Sequence, residues 1–135
     1  MITAVDSNIL IDIFSASSPF KRQSLDALST CLDDGAVVAC GIVWIELAPV
    51  APSVEELREK MHLLPISLST ISSESYLLAA EHWRKYKLSG GKRERVIADF
   101  IIGAHALTEC DQLLTRDRGF YRRYYKELNI LDPTA

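Results

Sequence analysis

Four acidic residues stand where they could act together: Asp6 at the end of ITAVD, Glu46 in GIVWIELA, Asp99 in VIADFIIGAHAL and Asp117 in LLTRDRGF. Asp99 poses the question most sharply. It lies among Ile97, Ala98, Phe100, Ile101 and Ile102, in a stretch that reads as a core-facing helix. A carboxylate is rarely buried unless it is paired or bound to a metal. Two carboxylates about 4 Å apart repel by roughly 4 kcal/mol at an effective dielectric of about 20. Four together would raise one another's pKa, and a divalent cation reverses that penalty by supplying positive charge. An all-oxygen donor set suits Mg²⁺ or Mn²⁺, and His62, His82 and His105 are too dispersed to form a zinc set. With a polyanionic substrate, such a site suits phosphodiester hydrolysis, in which metal activates water, orients the phosphate and stabilises the leaving oxygen.

Each acid also has an ordinary explanation. Asp6 would cap a following helix, Glu46 would face solvent on an amphipathic helix, Asp99 would complement a helix dipole and Asp117 would serve a turn. Taken together these roles explain less, because all four acids fall near the ends of elements that a parallel sheet brings to one edge. Ser7 and Thr115 place hydroxyls beside the acids, able to bond a carboxylate, a bound water or a phosphate. Gly103 and Ala106 follow Asp99 at i+4 and i+7, so they share its helical face and let the helix approach the sheet closely. Asp12, Glu109 and Asp111 read as structural or surface acids, with Asp111 in the turn before QLLT, and His105 reads as packed.

The elements that must position these residues alternate. Residues 2–6 read as a buried strand, with Ser7 as a helix cap. A helix follows Pro19 and ends at Gly35; AVVAC (36–40) is a strand, and GIVWIELA a short helix stopped by Pro49 and Pro52. Ser53 and Glu56 form a capping box for the next helix. A short strand near 64–66, a helix over about 72–87, a helix over 95–110, a strand at 112–115, a short helix over 120–128 and a strand at 129–131 complete the chain. Strands alternating with helices predict an α/β fold: a parallel sheet with helices on both faces and ligands beyond the carboxyl ends of the strands.

The 135 residues fit a single domain, residues 1–135, with 48% hydrophobic and 24% charged residues. No run approaches the roughly 20 apolar residues of a membrane span, and the N-terminal stretch lacks the basic flank of a secretory signal. The odd, scattered set Cys31, Cys40 and Cys110 argues against a disulfide framework and points to the cytoplasm. Residues 1–83 hold 4 Lys/Arg and 11 Asp/Glu (net −7), and residues 84–135 hold 11 and 7 (net +4). A chain acidic overall can therefore still present a basic face to a polyanion. No phosphate-binding glycine motif occurs, and Asp6-Ser7-Asn8 lacks the DxD start of an aspartyl phosphotransferase.

The ordered set VDSNIL, IEL, IADFIIGAHA and LLTRDRGF resembles the PIN-domain nucleases, over nearly the whole chain, and in order and spacing looks most like the bacterial and archaeal VapC toxins. The resemblance implies a three-layer α/β/α sandwich around a mostly parallel sheet and a Mg²⁺- or Mn²⁺-dependent endoribonuclease. It implies that Asp6 and Asp99 hold metal most directly, with Glu46 and Asp117 completing the quartet. It further implies a homodimer inhibited by a small antitoxin, whose tail enters the site and which carries the pair onto operator DNA. The lead-in GIVWI before Glu46 departs from the Ser- or Thr-rich lead-in of many relatives. Arg93, Arg116 and Arg118 flank the acids and are candidate contacts to RNA phosphates or to an acidic antitoxin tail, with ion pairs to nearby acids as the equal alternative. A PIN nuclease of RNA processing or DNA repair, and a non-catalytic RNA- or protein-binding module, are the alternatives.

Overall fold

In a computed structural model, residues 1–91 and 97–135 are described. The chain runs β1 (Ile2–Val5), α1 (Ser7–Phe14), α2 (Lys21–Asp34), β2 (Ala36–Cys40), α3 (Gly41–Leu47), a 3₁₀ turn (Ala48–Val50), α4 (Val54–Leu63), β3 (Ile66–Ser69), α5 (Ser73–Leu88), α6 (Ile97–Glu109), β4 (Gln112–Leu114), α7 (Arg118–Tyr124) and β5 (Ile130–Leu131). The strands form one all-parallel sheet in the order β3-β2-β1-β4-β5. From β1 the chain steps outward through β2 to β3, then returns across the sheet to β4 and continues to β5. Crossovers between parallel strands are right-handed, so stepping in opposite directions places the connecting helices on opposite faces. The result is the α/β/α sandwich, and its direction reverses between β1 and β4, the switch point where such sheets open a crevice.

Strands covered on both faces must be apolar throughout. Ala4 and Val5 of β1, Val37 and Ala39 of β2, and Leu113 and Leu114 of β4 are all at most 2% exposed. On one face α5, α6 and α7 meet through a ring cluster in which Phe100 lies 5.1 Å from Phe120 and 5.3 Å from Tyr86. Local signals set several boundaries. Ser53 accepts from the Glu56 N–H (3.1 Å) and starts α4, while α2 stops at Gly35, where a Cβ would run into the Met1 backbone. Two boundaries differ from the sequence expectation. β3 lies at 66–69 rather than 64–66, and the residue capping α1 is Asp6, not Ser7: the Asp6 carboxylate accepts from the Ser7 N–H at 2.7 Å. Among the described residues, no helix is long and apolar enough to cross a membrane.

Candidate active site

Asp6 follows β1 directly, with its N–H bonded to the Leu114 carbonyl of β4 (3.0 Å), so its side chain emerges at the switch point. It is only 4% exposed. Its Oδ2 accepts from Thr115 Oγ1 (2.8 Å), Tyr121 Oη (3.2 Å) and Asn8 Nδ2 (3.4 Å). Its Oδ1 faces Ser7, accepting from the backbone N–H at 2.7 Å. Burial pushes the Asp6 carboxyl up, the bonds from Thr115, Ser7 and Tyr121 pull it down, the Asp117 charge pushes up again, and the net shift is upward.

The other three acids reach the same place from different elements. Glu46, on α3, accepts from Ser7 Oγ at 3.0 Å. Its carboxyl is raised by burial and by the charges of Asp6 and Asp99, against the lowering bond from Ser7. Asp99 stands in the first turn of α6, near enough to Glu46 for that repulsion. Asp117 sits at the start of α7, where its N–H bonds Thr115 Oγ1 (3.0 Å). Buried Tyr121 feels the charges of Asp6, Asp99 and Asp117 together, which with burial push its phenol far up. The structure thus brings the four acids into one electrostatic neighbourhood. Their coupling is through charge: among the described residues, no group of three or more His, Cys, Asp or Glu side chains is placed to hold a metal ion. In kind the donors fit a hard divalent cation, being all oxygen, with two carboxyls raised chiefly by burial and further by neighbouring acids.

Ser7 and Thr115 occupy the positions expected beside the acids. Asn8 and Tyr121 were not singled out in the sequence. Asn8 ties Thr115 Oγ1 (3.2 Å) and the Arg116 N–H (3.2 Å) into the network. Its place two residues beyond a strand-end acid was an available signal, whereas Tyr121 carried none, since a tyrosine in FYRRYYKEL looks like any core aromatic.

The basic residues divide. Arg116 forms the alternative, an ion pair: its Nε and Nη2 grip Asp12 at 2.7 and 3.0 Å, and its guanidinium lies 4.2 Å over the Phe20 ring. Arg118 meets Asp132 at 3.4 Å and keeps its side chain 45% exposed. Arg93 lies outside the described residues. A cleft of about 1200 Å³, lined by none of the four acids, opens between α5 and α7, with Lys85, Arg123, Lys126 and Tyr124 in its wall. Gly103 also differs from expectation. A Cβ there would lie 2.5 Å from the Tyr125 ring and 3.2 Å from that of Tyr121, so the glycine admits aromatic rings of α7 and its C-cap rather than the sheet. Asp12 is structural, His105 is buried with its Nε2 2.8 Å from Ser69 Oγ, and Asp111 accepts from the Ile2 N–H at 2.6 Å.

Comparison with known proteins places this geometry. The PIN domain profile matches residues 3–126. No curated protein sequence matches the chain. Among solved structures, VapBC-1 from nontypeable Haemophilus influenzae contains a chain of 23% identity, with all of both chains covered and a TM-score of 0.76. VapBC2 from Rickettsia felis, bound to a DNA fragment from its promoter, contains one of 18% identity, with 98% of each covered and a TM-score of 0.75. VapC20 from Mycobacterium tuberculosis, a Sarcin-Ricin loop cleaving toxin, is 11% identical over 82% of this chain and 86% of its own, with a TM-score of 0.55. At these identities the likeness is one of fold.

Proposed function

The chain belongs to the PIN domain family, and from that premise we propose that it is a Mg²⁺- or Mn²⁺-dependent endoribonuclease, the toxin of a toxin–antitoxin pair. The observation that carries the reading is the hydrogen-bond network around Asp6 at the β1/β4 switch point, in which Ser7 links it to Glu46 and Thr115 links it to the Asp117 backbone, with Asp99 near enough to Glu46 for repulsion. Acids so arranged are costly without a cation and useful with one.

Asp6 and Asp99 are the residues that would hold the cation most directly, with Glu46 and Asp117 completing the shell or positioning water. When bound, the cation supplies positive charge to the phosphate oxygens and lowers the pKa of an attacking water. The chain's own contribution is orientation. Three donors occupy Asp6 Oδ2 and leave Oδ1 turned toward Ser7 and the Glu46 side. Ser7 Oγ fixes Glu46, and Thr115 joins Asp6 to the Asp117 backbone. The site then suits in-line attack on a backbone phosphate, with Lys85, Arg123 and Lys126 receiving flanking RNA phosphates in the cleft behind α7.

The fold shared with VapBC chains supports a small antitoxin as partner, and the family resemblance adds a homodimer as the working form in the cytoplasm to the proposal. DNA would be met only through the antitoxin. The test is cleavage of total RNA with Mg²⁺ or Mn²⁺, against EDTA and Asp99→Asn controls. Discrete products are expected from the wild type alone. Cleavage by Asp99→Asn at the wild-type rate, or in EDTA, overturns the reading.

A further inference from the structure

We propose that Tyr121 and Tyr125 are positioning residues that hold Asp6 and the Asp99-bearing turn of α6 at a fixed separation, through the recess left by Gly103. The inference rests on the cation-dependent reading above.

Tyr121 Oη donates to Asp6 Oδ2 at 3.2 Å, and Tyr125 Oη donates to the Phe100 carbonyl, one residue beyond Asp99, at 2.5 Å. One tyrosine therefore holds the acid after β1, and the other holds the backbone beside the acid on α6. The two act as one unit, because the Tyr125 N–H bonds the Tyr121 carbonyl at 2.7 Å across the last turn of α7. Both are buried, at 0% and 1% exposure. Their rings flank Gly103, the i+4 neighbour of Asp99, where a Cβ would stand 2.5 and 2.6 Å from Tyr125 ring carbons and 3.2 Å from Tyr121. A methyl at that position would force the rings away from α6.

Packing alone does not call for these hydroxyls. Phenylalanine fills nearly the same volume and brings no polar atom that must be satisfied when buried. Each hydroxyl instead bonds a group belonging to, or adjoining, one of the two acids proposed to hold the cation most directly. Tyr121 also helps to fix the rotation of the Asp6 carboxylate: with Thr115 and Asn8 it bonds Oδ2, while Oδ1 accepts from the Ser7 N–H and hydroxyl. Groups that orient ligands in this way commonly govern affinity as strongly as ligands do.

The experiment measures Mn²⁺ affinity of the full chain by titration calorimetry or electron paramagnetic resonance. The proteins are the wild type, Tyr121→Phe, Tyr125→Phe and Gly103→Ala, with metal-free thermal melting as the check on folding. Tyr121→Phe is expected to bind Mn²⁺ roughly tenfold or more weakly, and to lower kcat on a defined RNA while leaving KM unchanged. Tyr125→Phe and Gly103→Ala are expected to shift both quantities in the same direction. A folded Tyr121→Phe with wild-type Mn²⁺ affinity and kcat overturns the proposal and leaves the cation-dependent reading standing. If that variant does not fold, unchanged Mn²⁺ affinity in folded Tyr125→Phe overturns it equally. A wild type that binds no Mn²⁺ brings down the cation-dependent reading itself, and this proposal with it.

Discussion

Replacing Arg116 with methionine separates two roles for the residue beside Asp117: a contact to RNA, or a strut within the fold. The Asp12 side chain is 5% exposed and that of Arg116 is 26% exposed, so the pair is largely withdrawn from water. Removing one partner of a buried pair costs roughly 3–5 kcal/mol, mostly because the other charge is stranded. The low end applies here, because Asp12 keeps its bonds from Ser18 and Ser24, both 2.9 Å, and methionine retains part of the contact with Phe20. A loss of about 3 kcal/mol lowers the Tm of a chain this size by roughly 10 °C. Asp12→Asn should cost less, about 1–2 kcal/mol, because the partly exposed guanidinium can turn to water. The effect has a pH signature. Burial alone would push the Asp12 carboxyl up, but the bonds from Arg116, Ser18 and Ser24 and the Arg116 charge outweigh it, holding the group below its usual 3.8. A depressed folded pKa contributes stability that is present above the unfolded value and lost as pH falls through the folded one. Urea unfolding of metal-free protein should therefore show the full gap between wild type and Arg116→Met near neutral pH, narrowing below about pH 4. An Arg116→Met protein as stable as the wild type, yet deficient in RNA binding, would refute the strut and return Arg116 to the RNA.

Glu46→Gln should raise metal-free stability at about pH 7 and shrink the rise in Tm that Mn²⁺ produces. Burial and the charges of Asp6 and Asp99 raise the Glu46 carboxyl above its usual 4.5. The fold then holds that proton longer than the unfolded chain does, so wild-type stability falls as pH climbs from 4.5 through the folded value. Melting curves of the two proteins that stay parallel across this range would contradict the account. Charge reversal of Lys85, Arg123 and Lys126 together should weaken RNA binding. It should also flatten its salt dependence by roughly 2 in the log–log slope, as expected for three lost contacts to a single strand. An unchanged slope in a filter-binding titration would remove the cleft from the RNA path.

What was legible in the sequence follows from how local each signal is. AVVAC reads as a strand from its apolar, β-branched run, and Ser53 with Glu56 spells a helix start; both stand where expected. β3 was displaced because Ile66-Ser67-Leu68-Ser69 is an edge strand that turns Ser67 and Leu68 to solvent and so lacks a continuous apolar run. The gathering of the four acids was readable for a different reason. In a parallel sheet every strand ends at the same edge, so Asp6 and Asp117, just past β1 and β4, need no long-range information to be placed there, while Glu46 and Asp99 are carried to it by the helices α3 and α6. The donors that orient those acids had no such rule behind them. Tyr121 reaches Asp6 only because α7 packs on α6 at a glycine, and Arg116 finds Asp12 across 104 residues of sequence. Neither partner can be inferred from spacing, because each depends on how far one helix stands from the next. The charged groups at this edge were therefore visible as a list, while their orientation belongs to the packing. For that reason Tyr121→Phe, which alters neither net charge nor hydrophobic pattern, is the substitution that distinguishes a quartet merely assembled at the switch point from one aimed at a cation.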